Sequence, residues 1–472
     1  MNEDRYESPL SGRYASPEML ELFSADSRYR TWRRLWAELA SAQRKLGLPI
    51  TEEQVRELFG HIDDIDYEAV RRREQEVHHD VMAHIYAYGL AAPSAAGILH
   101  LGATSCYVTD NADLILFREG LRRIRREAVG LLTALAELAE KYRDLPAPGY
   151  THFQPAQPVT MGKRAALWMQ DVITDLEEID FVLGQFRFLG CRGAVGTEAS
   201  FLSLFGGDGE KCDAMNGMLC EAFGFDGCFD VCGQTYPRKL DSRILNALSS
   251  VAQTCYRMAQ DIRLLQHDRQ VEEPFGEKQV GSSAMAYKRN PVRCERICSL
   301  ARYLIADAMN GAMTASVQWL ERSLDDSANR RISMPEAFLC ADAVLRLSGY
   351  VIRGLKVNES VVEKAVRDQL PFIAMEDLMM EAVKKGADRQ AVHEILREAS
   401  MKASERLARG EYPGLGELLA EEKALGLTGE EIRSVLDPAR YTGRAPEQVK
   451  RFLEKNRPLL DGSGPEEEEI LL

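Results

Sequence analysis

The sequence predicts an all-α protein. Over long segments, apolar residues recur at intervals of three and four, the spacing that places them on one face of an α-helix. No alternation of apolar and polar residues is long enough to predict a sheet. Prolines and short polar stretches separate the periodic segments, where helices are expected to begin and end.

Five long helices are predicted in the middle of the chain. They are expected to cover about 111–143, 160–188, 238–269, 291–320 and 335–355. The stripe of the first is formed by Leu114, Phe117, Leu121, Ile124, Leu131, Leu135 and Leu138. Thr160 is a suitable N-cap for the second, and Pro291 and Pro335 stand where proline favours a helix start. Several helices are apolar on more than one face, which predicts a bundle that packs against other copies of the chain.

The 472 residues are too many for one ordinary core and predict three helical domains. Residues 1–104 have shorter helices with polar breaks and form the first domain. Residues 105–357 hold the long-helix bundle, and residues 358–472 form a C-terminal helical domain. Its last residues, GSGPEEEEILL, are expected to be disordered because they are a run of charge after glycines.

Composition limits the partners. The formal net charge of −14 argues against nucleic acid and anionic membranes, but a local cluster of Arg and Lys could still bind a small polyanion. The start of the chain does not resemble a signal peptide, and no stretch of 18 apolar residues occurs, so a cytoplasmic protein is expected. None of the ten cysteines forms a C-x-x-C pair, which predicts reduced thiols rather than a metal or disulfide framework.

Three polar, turn-rich segments lie between the long helices, at 100–113, 150–164 and 277–296. In the third, a Gly-Ser turn precedes Lys288, Asn290 and a helix start, a combination suited to binding a carboxylate. By composition alone, a solvated basic loop is equally compatible with it. In the second, His152 has polar neighbours and is a natural proton carrier near neutral pH. In the first, Thr104 and Ser105 offer hydroxyls either to a ligand or to a helix cap.

Two further polar clusters stand out. The segment HHDVMAH at 78–84 offers poor spacing for zinc ligands, so no metal site is predicted. The segment WLERSLDDSANRR at 319–331 would place Ser327 and Arg331 on one helical face. A surface salt-bridge network with Asp325 and Asp326 is the alternative interpretation.

These segments resemble a known family. GSSAMAYKRNP resembles the signature loop of the fumarase/aspartase superfamily, THFQPAQPVT its histidine segment, and HLGATSCYVTDN its first region. Within the superfamily the chain is most similar to the animal-type branch of the adenylosuccinate lyase family. That similarity extends from SPLSGRYASPEM near the N-terminus, through HDVMAH and LDDSANRR, to TGRAPEQVKRFL near residue 455.

The resemblance implies a β-elimination that breaks a carbon–nitrogen bond and releases fumarate. The substrates would be adenylosuccinate, giving AMP, and the succinylated aminoimidazole carboxamide ribotide of purine synthesis. No cofactor and no metal would be needed. The protein would be a homotetramer with active sites shared between subunits. Sister lyases such as argininosuccinate lyase or aspartase, and a crystallin-like structural protein on the same scaffold, are the alternatives.

The resemblance also implies residue roles. Ser282 would be the general base, His152 the general acid, and Glu295 the carboxylate that orients His152. Lys288 and Asn290 would stabilise the aci-carboxylate intermediate. The substrate contacts would be Arg13, Tyr14, His78, His79, Asp80, Thr104, Ser105, Gln234, Arg296, Arg322, Ser327 and Arg331.

The chain departs from the family pattern twice. Ala286 replaces a proline of the signature loop, which bears on the stiffness of that loop. His78 replaces an arginine of the animal-type branch.

The stabilisation of a doubly charged carboxylate by fixed cations and amides is expected to be the largest catalytic contribution.

Overall fold

The fold is described from a computed structural model that covers residues 4–276, 284–285 and 287–460. Its regular structure consists mainly of helices. A π-helical turn, Leu10–Tyr14, and three 3₁₀ turns, Ala96–Ile98, Lys423–Leu425 and Pro438–Tyr441, accompany them. The helices of the first half are α1 (Pro17–Leu22), α2 (Ala25–Lys45), α3 (Glu52–Gly60), α4 (Tyr67–Val77), α5 (Asp80–Ala91), α6 (Ser105–Lys141), α7 (Met161–Leu183), α8 (Ala199–Leu204) and α9 (Gly209–Phe223).

The second half is equally helical. Its helices are α10 (Lys239–His267), α11 (Val292–Asp307), α12 (Met309–Val317), α13 (Asp326–Arg353), α14 (Glu359–Ile373), α15 (Met375–Lys384), α16 (Arg389–Ala408), α17 (Leu415–Glu421), α18 (Gly429–Val435) and α19 (Ala445–Leu460). The described strands have two residues each and form three antiparallel pairs. They are β1 (Pro146–Ala147) with β4 (Val159–Thr160), β2 (Tyr150–Thr151) with β3 (Gln154–Pro155), and β5 (Val271–Glu272) with β6 (Lys356–Val357).

Five long helices, α6, α7, α10, α11 and α13, pack side by side as a bundle. The predicted apolar stripe of α6 is buried throughout, from Leu114 to Leu138, so that part of the prediction is confirmed. Thr160 caps α7, because its hydroxyl accepts the backbone N–H of Lys163 at 3.1 Å. Helices α2 and α19 cover the bundle from outside, and residues 374–441 enclose a second, smaller core.

Two helix predictions were wrong. The segment predicted as one helix over 291–320 is divided at Ala308 into α11 and α12. Helix α13 begins at Asp326, nine residues before the predicted start, and Pro335 lies inside it. Proline lacks the backbone N–H that an interior helical residue donates. Local sequence alone therefore favoured a helix that begins at Pro335. The buried salt bridges of Asp326 and Arg330 hold the first turn of α13 instead.

The crossing of α6 and α7 requires a glycine. An added Cβ at Gly162 would lie 2.4 Å from the carbonyl oxygen of Ala139 and 2.6 Å from Cα of Arg143. We expect Gly162→Ala to lower the free energy of unfolding by about 1–3 kcal/mol, because two backbones would have to separate. Gly217→Ala in α9 is the matched control, since its Cβ would meet nothing within 4 Å. Alanine should stabilise that helix by up to about 1 kcal/mol. Urea unfolding of the two variants measures both effects, and equal midpoints would contradict the expectation.

Candidate active site

A cavity of about 480 Å³ lies at the N-terminal end of α6. The junction of α4 and α5, the first turns of α6, the segment before α10 and the start of α13 form its walls. Eight residues that the sequence analysis named as substrate contacts line it. They are His78, His79, Asp80, Ser105, Gln234, Arg322, Ser327 and Arg331. Four separate stretches of sequence therefore meet in one cavity.

His79 joins two of these stretches. It is the N-cap of α5, where its Nδ1 accepts the backbone N–H of Met82 at 3.4 Å. Its Nε2 lies 3.3 Å from Oγ of Ser105. Because Nδ1 accepts, a neutral His79 carries its proton on Nε2 and donates it to that hydroxyl. Thr104 is the N-cap residue of α6 but makes no side-chain capping bond. The capping alternative for Thr104 is therefore wrong.

Asp80 and Arg331 form an ion pair across the cavity, with 2.8 Å between Oδ2 and Nη2. Burial would raise the pKa of Asp80, but the hydrogen bonds from Arg331 and the Val81 N–H hold it below its usual value. Asp80 is therefore ionised at neutral pH. An anionic ligand that binds Arg331 has to compete with this carboxylate.

Arg322 is held in a similar way. Its guanidinium donates to Oδ1 of Asp326 at 2.8 Å and to the carbonyl of Ser323. The side chain of Asp326 is fully buried and also binds Arg238. The alternative interpretation, a surface salt-bridge network, is therefore wrong for Asp326, because this carboxylate belongs to the interior.

A largely buried ion network lies against the cavity, and all of its residues except Asp241 line it. It consists of Asp110 and Asp113 from α6, Arg238 and Asp241 at the start of α10, and Asp326 and Arg330 from α13. The sequence analysis missed these residues. Isolated Asp and Arg at helical spacing look like solvated positions, and only their joint burial identifies them as a network.

His152 lies elsewhere, at the tip of the hairpin formed by β2 and β3. His152 and Phe153 both have left-handed backbone, with φ of 52° and 58°. Non-glycine residues in this region cost about 1–2 kcal/mol each, so other contacts have to hold the turn. Gln270 donates to Oη of Tyr150 at 2.8 Å, and Arg164 donates to the carbonyl of Pro148 at 2.7 Å. Phe153 is 81% exposed, so the hairpin tip projects from the chain.

The length of α6 separates His152 from the cavity. Ser105, at its first residue, lines the cavity, whereas the hairpin follows its last residue, Lys141. The 37 residues of this helix span about 55 Å at 1.5 Å per residue. The cavity and the hairpin of one chain therefore cannot act on the same small molecule.

The described part of the signature segment, residues 284–285 and 287–291, lies at the hairpin's end of the bundle. Gln266, in the last turn of α10, donates to the carbonyl of Arg289 at 3.1 Å. Lys288 and Glu295 are exposed, and Asn290 is half-buried. Glu295 makes no hydrogen bond with His152 in the part of the chain that the structure describes. Ser282 and Ala286 lie outside the described residues.

Glu273 fixes the start of α11, another role that the sequence analysis missed. Its carboxylate is buried and accepts the backbone N–H groups of Arg293 and Cys294, both at 3.0 Å. It therefore caps the helix that follows the signature loop, although it stands about twenty residues earlier in sequence.

Arg296, Arg13 and Tyr14 form a third group outside the cavity. The guanidinium of Arg296 lies 5.7 Å from the ring centroid of Tyr14, and that of Arg13 lies 6.0 Å from it. Tyr14 belongs to the π-helical turn that packs on α13. In one chain, the predicted site residues thus form a cavity, a hairpin and a signature region that includes this aromatic–cation group.

Comparison with known proteins identifies this arrangement. Residues 13–305 match the family model described as "Lyase", and residues 371–452 match "Adenylosuccinate lyase C-terminus". The chain is 47% identical to adenylosuccinate lyase of Saccharomyces cerevisiae, over 96% of this chain and 95% of that protein. It is 45% identical to adenylosuccinate lyase of Schistosoma mansoni, over 95% and 94%. The chain belongs to the adenylosuccinate lyase family. It is therefore a carbon–nitrogen lyase, and the sister-lyase and structural-protein alternatives find no support.

Solved structures share the fold. A fumarate lyase from Mesorhizobium sp. BNC1 superposes with a TM-score of 0.78 at 25% identity, covering 94% of this chain and 99% of that chain. The 3-carboxy-cis,cis-muconate lactonizing enzyme from Pseudomonas putida superposes with a TM-score of 0.81 at 22% identity, covering 95% and 99%. The second similarity concerns the fold alone. The all-α prediction is confirmed.

Two other properties bear on binding. None of the described helices is both long and apolar enough to cross a membrane. Among the described residues, no three His, Cys, Asp or Glu side chains are grouped as metal ligands.

A buried histidine beneath the cavity makes stability depend on pH. His84 stacks on Tyr29 at 3.8 Å between ring centroids. Burial, with a smaller contribution from Arg33, lowers its pKa to about 4. An unfolded histidine titrates near pH 6.5, so the unfolded chain binds this proton first as the pH falls. The contribution of neutral His84 to the free energy of unfolding is therefore fully present above about pH 6.5. It is lost as the pH falls from about 6.5 to about 4.

We expect the free energy of unfolding to fall between pH 7 and pH 5 by about 2 kcal/mol more in the wild type than in His84→Gln. Urea titrations at the two pH values measure the difference. His267→Gln is the control, because the side chain of His267 is 86% exposed. Its pH dependence should equal that of the wild type. The same slope in all three proteins would contradict the assignment.

Proposed function

We propose that this protein cleaves adenylosuccinate to AMP and fumarate, and the succinylated aminoimidazole carboxamide ribotide to fumarate and the free carboxamide ribotide. Both reactions belong to purine nucleotide biosynthesis. The observation that supports this proposal most directly is the cavity, where Arg322, Ser327 and Arg331 lie in one wall. Guanidinium groups and a hydroxyl suit a phosphate, which both substrates bear. Relatives along the whole chain are named for the first substrate.

The proposed reaction is a β-elimination. Ser282 takes a proton from the succinyl Cβ, and the electrons of that C–H bond form the double bond of fumarate as the C–N bond breaks. His152 gives a proton to the departing nitrogen, with Glu295 orienting its ring. Lys288 and Asn290 stabilise the doubly charged carboxylate that precedes C–N cleavage. A serine can act as a base only where positive charge and exclusion of water favour its alkoxide.

The remaining substrate contacts divide between the cavity and the aromatic–cation group of Arg296, Arg13 and Tyr14. His78, His79, Asp80, Ser105 and Gln234 surround the substrate in the cavity, and Thr104, next to Ser105, provides a further hydroxyl. Arg296 contributes a further cation, and Arg13 and Tyr14 contact the nucleotide. These roles require the aromatic–cation group, the hairpin and the signature segment to reach the cavity of another chain.

We therefore propose a homotetramer with shared active sites. The separation of about 55 Å along α6 supports it. So does the exposed apolar surface of α12 and the residues after it, which is the kind of surface that subunits cover. Its exposed side chains are Met309, Met313, Val317, Trp319 and Leu320.

We further propose that the protein works in the cytoplasm without a metal or organic cofactor. All ten cysteines are free in the structure, which suits a reducing compartment. The reaction is an acid–base elimination and needs no electron transfer.

The proposed activity has a direct assay. We expect purified protein to release fumarate from both substrates, with equimolar AMP from adenylosuccinate, and to lose no activity after dialysis against EDTA. Absorbance and chromatography follow the products. Argininosuccinate and aspartate are the matched negative substrates, because neither carries a phosphate. Turnover of either in place of adenylosuccinate would overturn the substrate assignment, and a strict metal requirement would overturn the cofactor-free mechanism.

Shared sites predict recovery of activity in mixed assemblies. His152→Ala removes the acid at the hairpin, and His79→Ala damages the cavity, so each protein alone should be nearly inactive. In random hybrids of the two, about a quarter of the sites receive an intact cavity and an intact hairpin. We expect co-expressed, doubly tagged hybrids to recover activity on that scale.

The control for this experiment is a hybrid of His79→Ala with Ser105→Ala. Both residues line the cavity of one chain, so in these hybrids each cavity carries one of the two changes. Activity should therefore stay at the level of the single variants. Recovery in this control, or none in the first hybrid, would refute sharing between the cavity and the hairpin.

A further inference from the structure

Two residues that line the cavity but have almost no exposed surface link several of the substrate contacts. We propose that Asp110 and Arg238 are positioning residues that hold Arg322 and Gln234 in the orientation that binds the nucleotide. This inference rests on the proposed function and extends it to two residues that act by holding other side chains in place.

Arg238 connects α6 to α13. Its Nη1 lies 2.8 Å from Oδ2 of Asp110 and its Nη2 lies 3.2 Å from Oδ1, so this carboxylate is bound by both prongs of the guanidinium. Its Nε lies 2.6 Å from Oδ2 of Asp326. The three side chains are at most 3% exposed. A planar guanidinium with fixed N–H directions fixes both carboxylates relative to each other.

Asp326 passes this constraint to the cavity. Its second oxygen, Oδ1, accepts Nη1 of Arg322 at 2.8 Å. Burial would raise the pKa of Asp326, but Arg238 and Arg322 hold it below its usual value. Arg322 is 23% exposed and lines the cavity. It is the most exposed of these linked side chains, so a ligand can contact it. The direction of its guanidinium therefore depends on Asp110 through two buried ion pairs.

Asp110 also fixes the segment that carries Gln234. Its Oδ2 accepts the backbone N–H of Tyr236 at 3.1 Å, two residues after Gln234. The backbone N–H of Gln234 donates to the carbonyl of Glu321 at 2.9 Å, next to Arg322. One carboxylate on α6 thus holds two wall segments of the cavity that are far apart in sequence.

Asp241 provides a matched comparison. It is equally buried and accepts hydrogen bonds from Arg330 at 2.6 Å and from Oη of Tyr236. Its carboxylate is bound by Arg330 rather than by Arg322 or Arg238, and, unlike Asp110, it is not among the residues that line the cavity. Replacing either aspartate by asparagine leaves a buried arginine with less negative charge. Only the change at Asp110 acts on the linked ion pairs that run through Arg238 and Asp326 to Arg322.

The test measures AMP affinity by calorimetry and steady-state kinetics with adenylosuccinate on full-length Asp110→Asn and Asp241→Asn. We expect Asp110→Asn to weaken AMP binding and raise KM by about tenfold, the usual scale for a displaced charged contact, with kcat changed less than about threefold. Fumarate inhibition should be unchanged. Asp241→Asn should lower the melting temperature but leave AMP affinity within about twofold.

Two further variants complete the test. Arg238→Lys keeps the buried charge but cannot bind both carboxylates at once, so it should weaken AMP binding as Asp110→Asn does. It takes the place of Asp110→Asn in the test if that variant folds poorly. Arg322→Met should weaken AMP binding, and Asp110→Asn should add little in its background, because the first acts through the second. Additive losses, equal AMP affinity in Asp110→Asn and the wild type, or no AMP binding by the wild type would each overturn the proposal. Absence of adenylosuccinate turnover by a wild type that binds AMP would instead refute the proposed function.

Discussion

The length of α6 is the constraint on which the organisation of this protein depends. A helix of 37 residues is a rigid spacer of about 55 Å, and it carries the cavity at one end and the connection with His152 at the other. Residues that differ so much in position cannot converge by side-chain motion. Under the proposed function the bundle serves two purposes, because its ends hold parts of different sites and its exposed apolar sides offer the surfaces that bring chains together.

Electrostatic pairing shapes the cavity before any ligand arrives. Arg331 is paired with Asp80, and Arg322 with Asp326, so neither of these two cations is bare. The two pairs differ in burial, since Arg331 is 57% exposed and Asp326 has no exposed surface. The outer pair can rearrange around an anion at small cost, whereas the inner pair is held by the buried ion network. A dianionic group would thus meet one adaptable arginine and one fixed arginine.

The opposite end of the bundle is organised by local anchors. His152 stands on a two-residue turn whose backbone disfavours its own side chains, and contacts from Gln270 and Arg164 hold the hairpin in place. Glu273 caps α11 with two backbone hydrogen bonds, so the end of the signature segment has a fixed position. Strained turns that the surroundings hold in place are common at functional sites. In one chain this histidine is exposed, and under the proposed function a second chain completes its environment.

The sequence by itself determined the fold class, most of the long helices and the segments that carry the chemistry. Helical periodicity identified the buried stripe of α6, and the motifs named His152 as a candidate acid and eight of the residues that line the cavity. Only the tertiary structure decided where α13 begins, because the buried pairs of Asp326 prevail over the local preference of Pro335. It also decided which charged residues are structural, since Asp110 and Arg238 are buried where helices converge. Periodicity and motifs report on neighbours along the chain, whereas burial and ion pairing depend on residues that only packing brings together.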